Sequence, residues 1–369
     1  MRIDRIDIVN FKNIEEASLE FSPNVNCLLG MNGMGKSNLL EAIHFLCLAR
    51  PMQPIPESAL PRHGSEMMMV KGKFEMDSGA SELVSCGLTK GKGKSLKCNG
   101  KEYQRLSEHI GRFPVVTVTP SDHSLVSGSA EERRKLMDMV ISQADKSYLA
   151  QLIRYNRSLE SRNRMLRAGL TDPLLFESVE STMEEAARTI HDTRSRWVAD
   201  ILPDFKARYS DISGDAETAG IRYSSVMNDK NYRDVLNETR SKDMALGYTS
   251  KGIHRDDLQT GLGDYSMRRL GSQGQVKTFT IALRLAIFAY LRKVSGITPI
   301  LLLDDIFDKL DSSRVGRIME MVSGREGFGQ IFITDTNREH LDEILDSIHG
   351  ENRLFMVEDG GFHVSLGET

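Results

Sequence analysis

Long apolar runs are missing from this chain of 369 residues. No stretch approaches the ~20 consecutive apolar residues that a membrane-spanning helix needs. The opening MRIDRIDIVNF lacks the apolar core of a signal peptide and reads instead as a first strand. Cysteine is scarce: Cys27, Cys47, Cys86 and Cys98 stand apart, with no Cys-x-x-Cys pair. That spacing argues against structural zinc, and against a zinc-hook coiled coil, and it favours a reducing compartment. Repeats and low-complexity tails are lacking as well, and an Asn-Lys-x-Asp guanine motif is absent, which disfavours a GTPase. The expectation is a soluble, cytoplasmic protein with no membrane partner.

An excess of positive charge is also lacking. Lysine and arginine number 48 against 52 acidic residues, for a net charge of −4. Affinity for a phosphate backbone would have to come from local surface, because distribution matters more than the sum. Two clusters qualify. Lys90, Lys92, Lys94, Lys97 and Lys101 are interleaved with glycines and read as a basic hairpin. Arg133, Arg134 and Lys135, followed by Arg154, Arg157, Arg162, Arg164 and Arg167, fall on a helical stretch. Glu131 and Glu132 lie close by, and surface charges are commonly just solvated faces.

What is present is a globular composition, 40% hydrophobic and 27% charged, with room for two or three domains. Gly30, Gly35, Lys36 and Ser37 satisfy G-x-x-x-x-G-K-S within GMNGMGKS. A loop can wrap a triphosphate only if consecutive backbone N–H groups point inward, a geometry that favours glycine. Gly33 adds further freedom. Met31, Asn32, Met34 and Asn38 complete the candidate cradle. Lys36 would place a point charge on the β- and γ-phosphates, and the Ser37 hydroxyl would be a magnesium ligand. The apolar run Val25–Leu29 precedes the loop and a helical pattern from Asn38 to Leu46 follows it, the context that the motif requires.

Far downstream, Ile300–Leu303 is a continuous apolar run ending in Asp304 and Asp305. Such a run suits the centre of a sheet covered on both faces, and ligands bind at the carboxyl ends of such strands. Asp304 is the candidate magnesium ligand, and Asp305 the candidate base for an attacking water. A second apolar helix is predicted over 276–294, with Ser272 and Gly274 just before its start. There Ser272 could be a plain cap or, with free N–H groups beside it, part of an anion site.

These strings together resemble the ABC-type ATPases of the SMC family, and most closely the RecF family of bacterial recombination mediators. The resemblance rests on Ile6–Asn13, GMNGMGKSNLLEAI, the string from Thr119 to Asp138, His254-Arg255-Asp256-Asp257-Leu258, Gly271-Ser272-Gln273-Gly274-Gln275 and the LLLDD strand. It implies an ABC-type, SMC-like α/β P-loop ATPase head, over residues 1–118 and 206–369, with a short helical arm over 119–205. It implies ATP and Mg2+ as cofactors, and slow hydrolysis. Lys12 and Asn13 would lie near the adenine and phosphates. Ser272, Gly274 and Gln275 would reach the γ-phosphate held by a second copy, so that ATP binding drives dimerisation. Lys309-Leu310-Asp311 would couple the two sites. The implied partners are DNA, at gaps or single/double-strand junctions, and recombination mediators of the RecO/RecR type, in recombinational repair and replication restart. A catalytically weak DNA-binding scaffold is the alternative.

The pattern departs from the family in three places. Asp305 stands where ABC proteins usually carry glutamate. No switch histidine follows Gln330–Ile333, leaving Thr334 or Asp335 to replace it. No Q-loop glutamine follows Val115–Val118, where Asp122 is the nearest candidate. His254 has no assigned role and could pair with Asp256 or Asp257. In the arm, Phe176, Val179, Met183, Ala186, Ile190, Trp197 and Ile201 mostly follow helical spacing, and Pro203 is expected to end that helix. Leu149, Leu152, Ile153 and Leu159 suggest its antiparallel partner, with the turn at Gly169–Pro173.

Overall fold

The computed structural model describes residues 1–215, 217–308, 310–323, 327–347 and 350–365. The chain divides into two compact units, residues 1–122 with 287–369, and residues 123–286. The second unit therefore takes in 206–286, which the family resemblance assigns to the ATPase head. Sequence pattern registers the return of strands after residue 206, but it cannot register that those strands pack on the helices before them.

The first unit holds two six-stranded sheets. One is antiparallel, in the order Ile14–Glu20, Arg2–Phe11, Met67–Glu75, Ser81–Thr89, Gly93–Cys98, Lys101–Glu102. The expected basic hairpin is its Ser81–Thr89 and Gly93–Cys98 pair. The other sheet runs Gly361–Val364, Asn352–Glu358, Val25–Leu29, Ile331–Asp335, Ile300–Asp304, Val115–Val118, parallel except at its first pair. Val25–Leu29, Ile300–Asp304 and Ile331–Asp335 are buried throughout, as central parallel strands are when both faces are covered. The helix Lys36–Leu48 touches strands of both sheets, which is why it is apolar nearly all round rather than along one stripe. Gln330 ties the sheets at their edge: its amide exchanges two hydrogen bonds with the Ile3 backbone and donates a third to the Ser22 carbonyl.

In the second unit the helices Lys146–Arg167 and Pro173–Ser213 form the expected antiparallel pair. Their caps are Asp145, which accepts from the Ser147 and Tyr148 amides, and Asp172, which accepts from Leu174. Phe176, Met183, Ala186, Ile190, Trp197 and Ile201 are buried as expected, while Val179 is only half-buried. Leu149, Leu152, Ile153 and Leu159 are only half-buried; Tyr148, Tyr155, Arg162 and Leu166 are the buried positions of that helix.

Pro203 does not end the long helix, which continues to Ser213. A proline removes one backbone donor and crowds the preceding turn. Here Phe205, Tyr209 and Ile212 beyond it are fully buried, and Phe205 meets Phe279 edge-on at 4.8 Å. Packing of the last turns outweighs the local penalty. A three-stranded antiparallel sheet, Tyr265–Ser266, Asp257–Leu262, Ala219–Ser224, completes this unit with the helix Tyr232–Leu246. Among the described residues, no helix is long and apolar enough to cross a membrane.

Candidate functional site

The strand Val25–Leu29 delivers the chain into the glycine loop. A Cβ on Gly30 would lie 2.4 Å from the Val357 carbonyl oxygen of the neighbouring strand, so only glycine passes there. Gly35, at φ +115, caps the helix with no side chain over its amides. Asn13 braces the loop: it donates to the Gly33 carbonyl at 3.3 Å and accepts from the Asn38 amide at 2.7 Å. Met34 is held by the turn after Asn352–Glu358, where Gly360 donates to its carbonyl at 2.8 Å. Met31 is exposed at the rim.

Lys36 is buried and bends back to donate to the Gly30 and Met31 carbonyls at 2.6 and 3.1 Å. Burial pulls its ammonium below the ordinary lysine range, against the opposing pull of Asp305, Asp304 and Asp335.

Strand register brings the remaining groups together. Asp304 lies opposite Thr334 in the parallel sheet. The Ser37 hydroxyl donates to Asp304 Oδ1 at 2.7 Å, and the Thr334 hydroxyl donates to the same oxygen at 2.8 Å. The Asp305 amide then donates to Thr334 Oγ1 at 3.0 Å. Burial pushes the Asp304 carboxyl up, and the hydrogen bonds from Ser37 and Thr334 partly restore it. A cavity of about 110 Å³ opens onto Asn32, Gly33, Lys36, Ser37, Asp305 and Thr334.

The two candidates for the missing histidine separate in space. Thr334 belongs to the cavity. Asp335 closes the turn before the next helix by accepting from the Thr336 and Asn337 amides, and it also meets His340 Nδ1 at 3.0 Å. His340 stands five residues beyond the strand end, on the first turn of the helix Arg338–Ser347, a separation that hides its contact with Asp335 in the sequence. Asp122 closes its own turn by accepting from the Thr119 amide. Lys12 is not brought to the cavity: its ammonium pairs with buried Glu41. Asp311 caps the helix Ser312–Ser323 by accepting from the Arg314 amide, while Lys309 lies outside the described residues.

In the second unit, Ser272 and Gln275 form a reciprocal capping box at the start of the helix Gln273–Ser295. The Ser272 amide donates to Gln275 Oε1 at 2.7 Å, and the Gln275 amide donates to Ser272 Oγ at 3.2 Å. Ser272 stays exposed.

The DNA-contact reading of Arg133 does not survive. Its guanidinium is buried and bidentate to Asp257 at 2.7 and 3.1 Å, and it also donates to the Leu125 and Gly128 carbonyls. Arg134 donates to the Asp256 carbonyl. Of the three residues only Lys135 is exposed, in an i,i+4 pair with Glu131. Arg194 spans Asp138, Asp256 and the Ile253 carbonyl, and Arg162 is enclosed by Glu180 and Asp243.

The HRDDL string is therefore the anchor of a buried ion-pair framework. His254 pairs with neither aspartate. Its Nε2 lies 3.1 Å from the Thr249 carbonyl, which can only accept, so that nitrogen carries the proton and Nδ1 accepts from the Tyr155 hydroxyl at 2.8 Å. Burial lowers its pKa to about 4.

Strand, glycine loop and helix, with a buried aspartate at the end of the neighbouring parallel strand, define a P-loop ATPase head of the ABC/SMC type. The profile of the RecF/RecN/SMC N terminal domain matches residues 2–360, and the chain belongs to that family, on its RecF branch. It is 48% identical over 361 residues to the DNA replication and repair protein RecF of Porphyromonas gingivalis strain W83, covering 98% of this chain and 99% of that protein. It is 47% identical over 362 residues to the protein of that name from Phocaeicola vulgatus, covering 98% and 97%. A solved structure described as the recombination mediator protein RecF-ATP in the RecFOR pathway superposes with a TM-score of 0.88 at 27% identity, covering 98% and 97%.

Proposed function

We propose that this chain is a DNA-dependent ATPase, acting in DNA repair and replication restart, in which ATP brings two copies together head-to-tail around DNA. The observation that carries the reading is the chain Ser37–Asp304–Thr334–Asp305 at the mouth of the glycine loop. Its donor set fits the groups it would hold. The Ser37 hydroxyl and the Asp304 carboxylate are hard oxygen ligands suited to Mg2+. Gly33 and Gly35, at φ +84 and +115, take the left-handed backbone with which a loop turns its N–H groups toward a phosphate. The solved RecF structure named for ATP supports the same ligand. Bound Mg2+ would neutralise charge on the β- and γ-phosphate oxygens.

Lys36 would exchange its two carbonyl partners for phosphate oxygens, to which its charge is better matched. Thr334 orients Asp304 and fixes the backbone of Asp305, whose carboxylate would polarise the lytic water. The exposed Ser272, with Gly274 and Gln275, would complete the site of the other copy. DNA contact would fall to cations that are exposed, such as Lys97, Lys101, Arg157 and Arg164, rather than to Arg133. RecO- and RecR-type mediators in the same cytoplasmic pathway are the partners that the family relationship supports.

The test is mass in solution with and without ATP and Mg2+, repeated with DNA. Lys36→Ala should abolish ATP-driven dimerisation. Ser272→Arg should keep ATP binding by the single copy and block closure. Dimerisation of Lys36→Ala at wild-type ATP concentrations would refute the latch.

A further inference from the structure

The second unit carries a cleft of about 870 Å³, far larger than the cavity at the glycine loop and sharing none of its residues. One wall is the helix Pro173–Ser213 near Leu202 and Lys206. The other is the sheet formed by Ala219–Ser224, Asp257–Leu262 and Tyr265–Ser266, leading to Arg268 and Arg269. Among the described residues, Lys206, Arg268 and Arg269 are exposed and carry no ion pair, and the Arg222 guanidinium donates only to the neutral Gln259. That contrasts with Arg133, Arg162 and Arg194 of the same unit, each consumed by carboxylates. Of the two lining carboxylates, Asp257 is taken by Arg133, which leaves Asp264 at the hairpin tip. Tyr265 stands at the edge of the cleft, 66% exposed, its hydroxyl in no hydrogen bond among the described residues. A tyrosine ring and three cations thus stand around one concavity without a partner among the described residues, and a ligand with both phosphates and flat rings would engage all of them.

We infer that this cleft binds a short stretch of single-stranded nucleic acid, with phosphates on Lys206, Arg222, Arg268 and Arg269 and a base stacked on Tyr265. A concave basic track with an aromatic platform suits a flexible strand. A duplex keeps its base faces stacked inside, where Tyr265 cannot reach them. The inference rests on the nucleic-acid half of the proposed function and not on the ATP latch.

The test is fluorescence anisotropy of the full chain with a labelled oligothymidine of about 12 nucleotides, across a salt series, beside a blunt duplex of equal length. Tyr265→Ala should weaken strand binding about tenfold at unchanged salt slope, and leave duplex binding within about twofold. Lys206→Ala with Arg222→Ala should instead flatten the slope by about 1.4, two contacts at ~0.7 each. Both variants should unfold at the wild-type temperature and dimerise with ATP as wild type does. Unchanged strand binding in Tyr265→Ala, or equal losses on strand and duplex, would overturn the assignment. A wild-type chain that shows these strand effects but never dimerises with ATP would sink the latch and leave the cleft standing.

Discussion

Ser37 and Asp304, 267 residues apart in the chain, are joined by a 2.7 Å hydrogen bond, and Thr334 donates to the same carboxylate oxygen. One hydroxyl comes from the loop and the other from the neighbouring strand, so the carboxylate is held from two directions.

Thr334→Val keeps the shape of that neighbour and removes its hydroxyl. The buried Asp304 then loses one donor and the Asp305 amide loses its acceptor. Turnover of ATP should fall about 10- to 100-fold, as when an outer-shell partner is deleted, with affinity for ATP nearly unchanged. Separate measurement of kcat and KM decides it. A rise in KM alone would show that Thr334 acts in binding.

Asp305 sits at φ +48, in the left-handed region. Aspartate tolerates that conformation better than longer side chains, because its short carboxylate can bond locally. Asp305→Glu, which restores the common ABC residue, should therefore cost about 1 kcal/mol of stability without a matching gain in rate. Asp305→Asn should lower turnover by a factor of about 10² to 10⁴ while ATP-driven dimers persist and live longer. Full turnover in Asp305→Asn would remove this residue from the chemistry.

Arg133→Glu would set a second carboxylate against Asp257 inside the protein. Breaking such a buried pair costs about 3–5 kcal/mol, so the thermal midpoint should drop sharply. Lys135→Glu, two residues on and exposed, should move stability by no more than about 0.5 kcal/mol. Equal stability of the two variants would return Arg133 to the surface.

His254 makes folding stability depend on pH. Its folded pKa is about 4, below the ordinary 6.5, so the unfolded chain binds a proton that the folded chain refuses. Its contribution is complete above pH 6.5 and is lost as pH falls toward 4, by up to about 3 kcal/mol. His109, lowered to about 4 by burial in the same way, adds a second loss over the same window. Denaturant titrations at pH 7 and pH 5 should show the drop, and His254→Gln should reduce it.

The glycine loop and the Asp304 strand were legible because each is a continuous string whose neighbours along the chain supply its context. The helical hairpin was legible too, from its spacing and the turn at Gly169–Pro173. Arg133 was misread because an arginine on a helix looks the same in sequence whether water or Asp257, 124 residues away, receives it. Pro203 was misread because a local penalty is visible in sequence, while the burial of Phe205 and Tyr209 that overrides it is not.

By itself, then, the sequence determined what short-range chemistry demands: glycines where backbone must meet phosphate, apolar runs that must be buried, and carboxylates at a strand end. Only the tertiary structure decided which charges are used up inside and which remain outside. Pairing depends on residues far apart in the chain, and desolvation gives the same side chain a different role in each place. That is why Asp256 and Asp257 became framework, and Lys206 and Arg268 were left open.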